Sequence, residues 1–226
     1  MGAQQEIDLS APLRLSTAFR FPLQSRIARI EVAIGALWLL VPIVGWILNM
    51  GHRIAMTHRM QHGESARPSW RDYPALMRHG TITFLGMVEY HLPAIICELV
   101  AWHSDSGWLH AIAVLLWIVA TISVPGYMSH YCFTLDPREV FDPFRAMRRV
   151  VEGGQAYWRA WAIALAALLC SFLGFVVFGV GFLFTSVWFW QVAGFSFATV
   201  FYDAFHLRKR ANLPPKPTPG TGAAQL

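Results

Sequence analysis

The sequence predicts an all-α integral membrane protein, and three observations lead to this fold class. Charged residues make up 14% of the 226 residues, whereas soluble globular domains average about 25%. Hydrophobic residues make up 55%, and the mean hydropathy is +0.42. Four apolar stretches are each long enough to cross a hydrocarbon core, which takes about 20 residues: residues 81–102, 108–130, 156–178 and 182–205. A cytosolic enzyme, a disordered chain and a secreted disulfide scaffold are therefore excluded.

Basic residues are distributed unevenly between the connections of these stretches. Segments 51–80 and 131–155 and the C-terminus carry most of the arginine and lysine, whereas segments 103–107 and 179–181 contain neither. In membrane proteins an excess of arginine and lysine marks the cytoplasmic loops. The four stretches are therefore predicted to form two hairpins with short outer turns, with the basic loops and the C-terminus in the cytoplasm.

A fifth apolar stretch, residues 32–48, is at the lower length limit for a span and carries Pro42 and Gly45 near its centre. If it spans the membrane, the arginines of the N-terminus lie outside. If it enters and returns, all 18 basic residues lie inside. The short length favours a re-entrant helix pair, but backbone freed at a break must be shielded by protein. Both arrangements remain open.

Composition divides the chain into three parts. Residues 1–29 lack the apolar core of a secretory signal and are predicted to be a cytoplasmic or interfacial segment. Residues 30–206 form the polytopic membrane domain. Residues 207–226 are rich in proline and small residues, which predicts a flexible tail.

Asp136-Pro137-Arg138-Glu139 and the Asp-Pro pair at residues 142–143 each predict the start of an amphipathic helix at the membrane surface. In both, Asp suits the N-cap and Pro the first turn, and the choice between the two starts remains open. Phe144, Met147 and Val151 form one apolar stripe of this helix, and arginines cover its other faces. A weaker case is residues 51–61. The arginines of both segments are predicted to contact anionic lipid head groups: Arg53, Arg59, Arg145, Arg148 and Arg149.

Small residues recur at helical spacing in the third long stretch. They are Ala160, Ala164, Ala167, Ser171 and Gly174. In lipid, a face of small residues lets two helices approach closely. We expect a tight helix interface here, either within the chain or with another subunit.

Three ionisable residues lie inside the first long stretch, where such groups often mark function. On a helix His91 and Glu98 share a face but are roughly 10 Å apart, too far for a direct bond. Glu89 points away from both. Their partners are therefore expected on other helices, either as buried polar contacts or along a path for a proton, an ion or a solute.

Histidines offer only weak metal or cofactor signals. His58 and His62 have the i, i+4 spacing of a helical metal site, but no third and fourth ligands are evident. His91, His110 and His130 have the residue type that ligates haem or chlorophyll, although a lone histidine is more often hydrogen-bonded to a neighbour. No metal and no cofactor is therefore predicted.

Motifs of catalysis and of nucleic-acid binding are absent from the sequence. It has no G-x-S-x-G, no H-E-x-x-H and no P-loop, and its three cysteines form no C-x-x-C pair. No basic run is interleaved with aromatic residues as a nucleic-acid groove requires. The chain is predicted to be neither an enzyme nor a nucleic-acid-binding protein.

A succession of short motifs follows the first apolar stretch: Gly51-His52-Arg53, Arg59, Gly63-Glu64, Pro68-Ser69-Trp70 and, later, Phe141-Asp142-Pro143-Phe144-Arg145 before Tyr157. This succession resembles a prokaryotic family of polytopic membrane proteins of unknown function. His52 stands where that family has tyrosine. The resemblance covers roughly residues 19–206. It implies an architecture and a bacterial or archaeal membrane, but no reaction.

The expected function is non-catalytic. The chain is predicted to be an accessory, assembly or stabilising subunit of the bacterial cytoplasmic membrane that packs against other membrane proteins or lipids. One alternative is a small transporter or channel that uses Glu89, His91 and Glu98. Another is a subunit of a respiratory or photosynthetic complex that ligates haem or chlorophyll.

Overall fold

The computed structural model describes residue 9, residues 12–177 and residues 179–204, with the side chains of the last two residues left out. Every regular element in this part of the chain is a helix, and none of its residues forms a strand. Four helical segments are long and apolar enough to cross a membrane. The predicted all-α fold with four helices of spanning length is confirmed. The tail predicted at 207–226 lies outside the described residues.

The N-terminal part consists of short helices. They are α1 (Leu15–Arg20), a 3₁₀ helix (Phe21–Leu23), α2 (Arg26–Trp38) and α3 (Val44–Gln61). The side-chain oxygen of Ser25 accepts a hydrogen bond from the Ala28 N–H and caps α2. Between α2 and α3, Ile43 has a φ of 64°, which is rare for a β-branched residue. The first apolar stretch is therefore broken into two helices.

Helices α2 and α3 contact each other along their lengths. Glu31 pairs with His52, and the Asn49 amide donates to the carbonyl of Gly35 over 3.1 Å. Near the break, a Cβ at Gly45 would overlap the carbonyl oxygen of Trp38. Because these contacts occur in opposite order along the two helices, α2 and α3 run antiparallel.

The next two helices are α4 (Tyr73–Ser104) and α5 (Gly107–Thr134). The side chain of Asp72 caps α4 by accepting from the Ala75 N–H, so α4 begins well before its apolar stretch. Contacts from one end to the other pair His79 with Tyr131 and Glu98 with His110. The two helices therefore also run antiparallel.

The last two helices are α6 (Pro143–Ser171) and α7 (Val180–Ala204), with a 3₁₀ helix (Phe172–Val176) after α6. Gly154 has a φ of 50° and a ψ of −139° inside α6, which kinks the helix there. Contacts pair Trp161 with Phe197 and Ser171 with Thr185, again in antiparallel order. The kink separates the predicted surface segment from the apolar segment that follows it.

Helix α3 lies at the centre of the packing. Met56 and Met60 on one side join the largest buried cluster, together with Ala160 of α6 and Phe195 of α7. Ile54 on another side joins a second buried cluster with residues of α5. Polar side chains on α3 are consequently surrounded by other helices.

Candidate functional site

Four polar side chains of α3 are buried: His52, Arg53, Thr57 and Gln61. Burying a polar or charged group is costly unless it finds partners. His52 and Arg53 have very different surroundings, and these surroundings define two neighbouring polar sites.

Arg53 is buried in an apolar environment, with 8% of its surface exposed. Its guanidinium carbon lies 4.8 Å from the ring centre of Trp190, and Nη2 donates to the thioether of Met128 over 3.3 Å. Among the described residues, Nε of Arg53 finds no hydrogen-bond acceptor. Among the ion pairs found in the described residues, none involves Arg53. The side chain is thus a buried cation with a stacking partner but no carboxylate.

This position corrects the expectation that Arg53 contacts lipid head groups. The face of α3 that carries Arg53 is covered by α5 and α7. Gly194 of α7 permits the close approach, because a Cβ there would lie 3.2 Å from the Arg53 side chain. Burial also lowers the pKa of Arg53, although a guanidinium stays protonated at neutral pH.

Two cavities adjoin Arg53. The first has a volume of about 330 Å³, and its apolar wall includes Trp161, Leu168 and Phe197. The second has a volume of about 530 Å³, and its wall includes Leu183 and Gln191. Both volumes lie within the range of ligand pockets in proteins. Three residues line both cavities: Arg53, Met87 and Trp190.

The second polar site is centred on Glu31, which is 2% exposed. Its Oε2 lies 3.1 Å from Nε of Arg67 and 3.4 Å from Nε2 of His52, and its Oε1 accepts from the Ser69 N–H over 2.5 Å. The indole of Trp70 donates to the Glu31 carbonyl and stacks on His52. Glu31 therefore ties α2 and α3 to the segment before α4.

The pKa of Glu31 reflects these contacts. Burial alone would raise it, but the hydrogen bond and the charge of His52, the Ser69 N–H and the charge of Arg67 together lower it below its ordinary value. Burial lowers the pKa of Arg67, against the opposing attraction of Glu31. The pair is ionised at neutral pH.

Gln191 connects the two sites. Its Oε1 accepts from Nη2 of Arg67 over 2.7 Å, while its Nε2 has no acceptor in the part of the chain that the structure describes. The side chain is 2% exposed and lines the 530 Å³ cavity together with Arg53. Two nitrogen donors without acceptors thus belong to residues in the wall of one cavity.

The intramembrane residues predicted from the sequence do not converge on one site. His91 lines the smaller cavity, with Nδ1 against the Met87 carbonyl and Nε2 3.2 Å from Oγ1 of Thr121. Glu98 is partly exposed and pairs with His110 over 3.0 Å. Glu89 is exposed on the outside of α4. The three residues therefore lie at separate places, and the transporter alternative stays a prediction.

The predicted small-residue face of α6 is covered within the chain. All five of its residues are buried, and their neighbours include α7: Ala160, Ala164, Ala167, Ser171 and Gly174. A Cβ at Gly174 would overlap Thr185, and the Ser171 carbonyl accepts from the Thr185 hydroxyl over 2.6 Å. Among the described residues α7 covers much of this face, while Ala164 lines the smaller cavity.

The remaining predicted lipid contacts divide into exposed and buried side chains. Arg145 and Arg148 are exposed, and Arg59 is partly exposed beside Glu64. Arg149 corrects the prediction, because it is buried and its guanidinium pairs with Glu139. Arg149 faces the segment before α6 because that segment carries Glu139, whose carboxylate is its partner.

His58 and His62 have ring centres 4.2 Å apart, but their ring nitrogens make other contacts. Nδ1 of His58 lies 2.7 Å from the Cys132 carbonyl, and Nδ1 of His62 lies 2.8 Å from the His58 carbonyl. In the part of the chain that the structure describes, no group of three metal-ligating side chains is close enough to hold an ion. Burial is the main cause of the lowered pKa of His58.

Sequence reasoning did not identify Glu31, Arg67 or Gln191 as site residues. They are far apart in the chain, and the nearest signal was the Pro68-Ser69-Trp70 motif beside Arg67. No protein-family model, curated protein or solved structure matches the chain.

Proposed function

We propose that the chain is a non-catalytic accessory, assembly or stabilising subunit that packs against another membrane protein through the outer face of α4. The observation that supports this proposal is the position of Glu89. It is the seventeenth of the 32 residues of α4, and its side chain is exposed.

The surroundings of Glu89 are apolar. Leu85, Val88 and Leu92 are large exposed side chains next to it on α4. The ion pairs of the described chain do not include Glu89. An ionised side chain at the centre of a membrane helix costs roughly 2.5–3.5 kcal/mol when it faces lipid. A partner helix that brings a cation or a hydrogen-bond donor removes this cost.

The proposal includes a topology. The basic loops and the C-terminus face the cytoplasm, α4–α5 and α6–α7 form two membrane hairpins, and α2–α3 enter and return. The first part of α6 lies at the head groups, which its exposed apolar side chains support: Phe144 is 88% and Val151 is 74% exposed. The proposed location is a bacterial cytoplasmic membrane, and the distribution of arginine and lysine over the loops supports the proposed orientation.

Photo-crosslinking in the native membrane tests the α4 interface. A photoreactive amino acid replaces Leu92, and the adducts are resolved by mass spectrometry. We expect a discrete adduct with another membrane protein, which Glu89→Leu abolishes. The matched control is Glu152→Leu, which removes an exposed carboxylate on α6 and leaves the adduct intact. Adducts with lipid alone, in both the parent chain and the variants, contradict the proposal.

A further inference from the structure

Arg53 is a buried cation without a counter-ion in the described chain. The titratable side chains near it include the Cys132 thiol and the Tyr127 phenol, and neither group carries a charge at neutral pH. A guanidinium has five N–H donors, and here its one hydrogen bond reaches a thioether, a weak acceptor. An isolated buried charge is costly, so an anion is expected beside it.

Two polar side chains belong to the wall of one cavity. Arg53 and Gln191 both line the 530 Å³ cavity. Nε of Arg53 and Nε2 of Gln191 lack acceptors among the described residues, and because both atoms are fully buried, a ligand in the cavity meets other atoms of these side chains. Glu31, the carboxylate of the neighbouring polar site, is already held by Arg67, His52 and the Ser69 N–H. No ion pair of the described residues includes Arg53, so a counter-ion for it has to come from outside them.

The rest of the cavity walls is mostly apolar and fits the hydrocarbon tail of a ligand. The larger cavity is also lined by Leu39, Trp46, Phe182 and Leu183, and the smaller cavity has an apolar lining throughout most of its surface. A cavity of about 150 Å³ holds the six carbons of benzene, which gives roughly 25 Å³ per carbon. By this measure the two cavities hold roughly 13 and 21 carbons. By this measure the larger cavity has room for one acyl chain of about 16 carbons, and the smaller cavity has room for a shorter chain.

From these observations we infer that the cavities beside Arg53 bind a single-chain amphiphile with an anionic head group, with the head at Arg53 and Gln191 and the chain along the apolar wall. A fatty acid carboxylate is the simplest such ligand, because a carboxylate is the usual partner of a guanidinium. A lysophospholipid phosphate has the same chemistry from a lipid source. This site is separate from the outer face of α4, so its test does not depend on the proposed subunit interface.

Binding is measured on the full chain in detergent by quenching of tryptophan fluorescence, since Trp190 lies against Arg53. The probes are brominated palmitate, brominated lysophosphatidate and brominated hexadecanol, which share a chain and differ in the head group. We expect both anionic probes to bind more tightly than the alcohol. The tighter of the two anionic probes identifies the source of the ligand.

Variants assign the binding to this site. Arg53→Gln is expected to weaken binding of the anionic probes about 10-fold to 100-fold, the range for a hydrogen bond to a charged group. Arg53→Lys, which keeps the charge, retains part of the affinity. Arg159→Gln, which removes an exposed arginine on α6, is the matched control and leaves the affinity unchanged.

A second variant covers the case in which Arg53→Gln does not fold. Leu183→Trp fills the larger cavity without altering a charge and is expected to weaken all three probes together. Equal binding of hexadecanol and palmitate to the parent chain, or anion binding that Arg53→Gln and Leu183→Trp both leave intact in folded protein, overturns the inference.

Discussion

The carboxylate of Glu31 and the guanidinium of Arg67 form a buried ion pair that joins α2 to the segment before α4. Nε of Arg67 lies 3.1 Å from Oε2 of Glu31, and both side chains are at least 95% buried. The other nitrogens of Arg67 donate to the Phe21 carbonyl and to Gln191 of α7. Arg67, in the segment between α3 and α4, thus joins the first 3₁₀ helix and α2 to α7.

Removal of one partner of this pair is expected to be strongly destabilising. In Glu31→Gln the Arg67 charge stays buried without its counter-ion, which typically costs about 3–5 kcal/mol. The measurement is the free energy of unfolding in detergent, from titration with sodium dodecyl sulfate. Glu64→Gln is the matched control, because it breaks the Arg59 pair, whose carboxylate is 60% exposed, and should cost less than about 1 kcal/mol. Equal losses in the two variants contradict the central role of Glu31.

The four long helices and the pairing of Glu31 with Arg67 differ in how far they can be predicted from the sequence. The four spanning helices follow from length and hydropathy, which are local properties, although α4 begins at Tyr73, eight residues before its apolar stretch, because Asp72 supplies a cap. The pairing of Glu31 with Arg67 joins residues 36 apart and leaves no local pattern. Helical periodicity groups the residues of α3 into faces but does not say which helix covers each face. For that reason Arg53 was expected at the head groups and lies inside.

The lowered pKa of His58 predicts that the protein loses stability in mild acid. Burial lowers its folded-state pKa below the ordinary value of 6.5, so below that pH the unfolded chain binds a proton that the folded chain excludes. Stability is therefore full above about pH 6.5 and falls as the pH drops toward the lowered pKa. The measurement is the unfolding midpoint at pH 7.5 and pH 5.5. His58→Gln keeps a donor for the Cys132 carbonyl and cannot titrate, so the difference between the two midpoints should shrink. An unchanged difference rules out this role for His58.

The lowered pKa of Glu31 predicts a second loss of stability at lower pH. Its folded-state pKa lies below 4.5, so the carboxylate contributes stability that is present above pH 4.5 and is lost as the pH falls through the lowered value. Thermal midpoints between pH 5 and pH 3 measure this loss. In Glu31→Gln the midpoint starts lower and its dependence on pH in this window becomes flatter. A wild-type slope that persists in the variant assigns the loss to other carboxylates.

Gly51 is expected to tolerate no side chain, because α3 and α4 meet there backbone to backbone. A Cβ at Gly51 would overlap the carbonyl oxygen of Leu76. Gly51→Ala must push the helices apart and should lower the free energy of unfolding by about 3 kcal/mol, the upper end for overpacking. Gly107→Ala is the matched control at the start of α5, where a Cβ meets nothing within 4 Å. It should leave stability unchanged or raise it slightly.

The last prediction concerns the small-residue face of α6. It distinguishes side chains that pack within the chain from side chains on the outer surface by their effect on stability. Ala167 is fully buried, whereas Leu169 on the same helix is 69% exposed. Ala167→Leu inserts a larger side chain into the contact of α6 with its neighbours and should cost about 1–3 kcal/mol. Leu169→Ala trims a side chain on the outer surface and should change the free energy of unfolding by less than about 0.5 kcal/mol.

The same pair of variants also tests where a partner binds. Co-purification of a partner should survive Leu169→Ala and Ala167→Leu alike in folded protein, because the proposed interface lies on the outer face of α4, around Glu89. A folded Ala167→Leu chain with unchanged stability and no partner would place the interface on α6. That result would mean that this face is open in the native membrane, and it would overturn the assignment of the interface to α4.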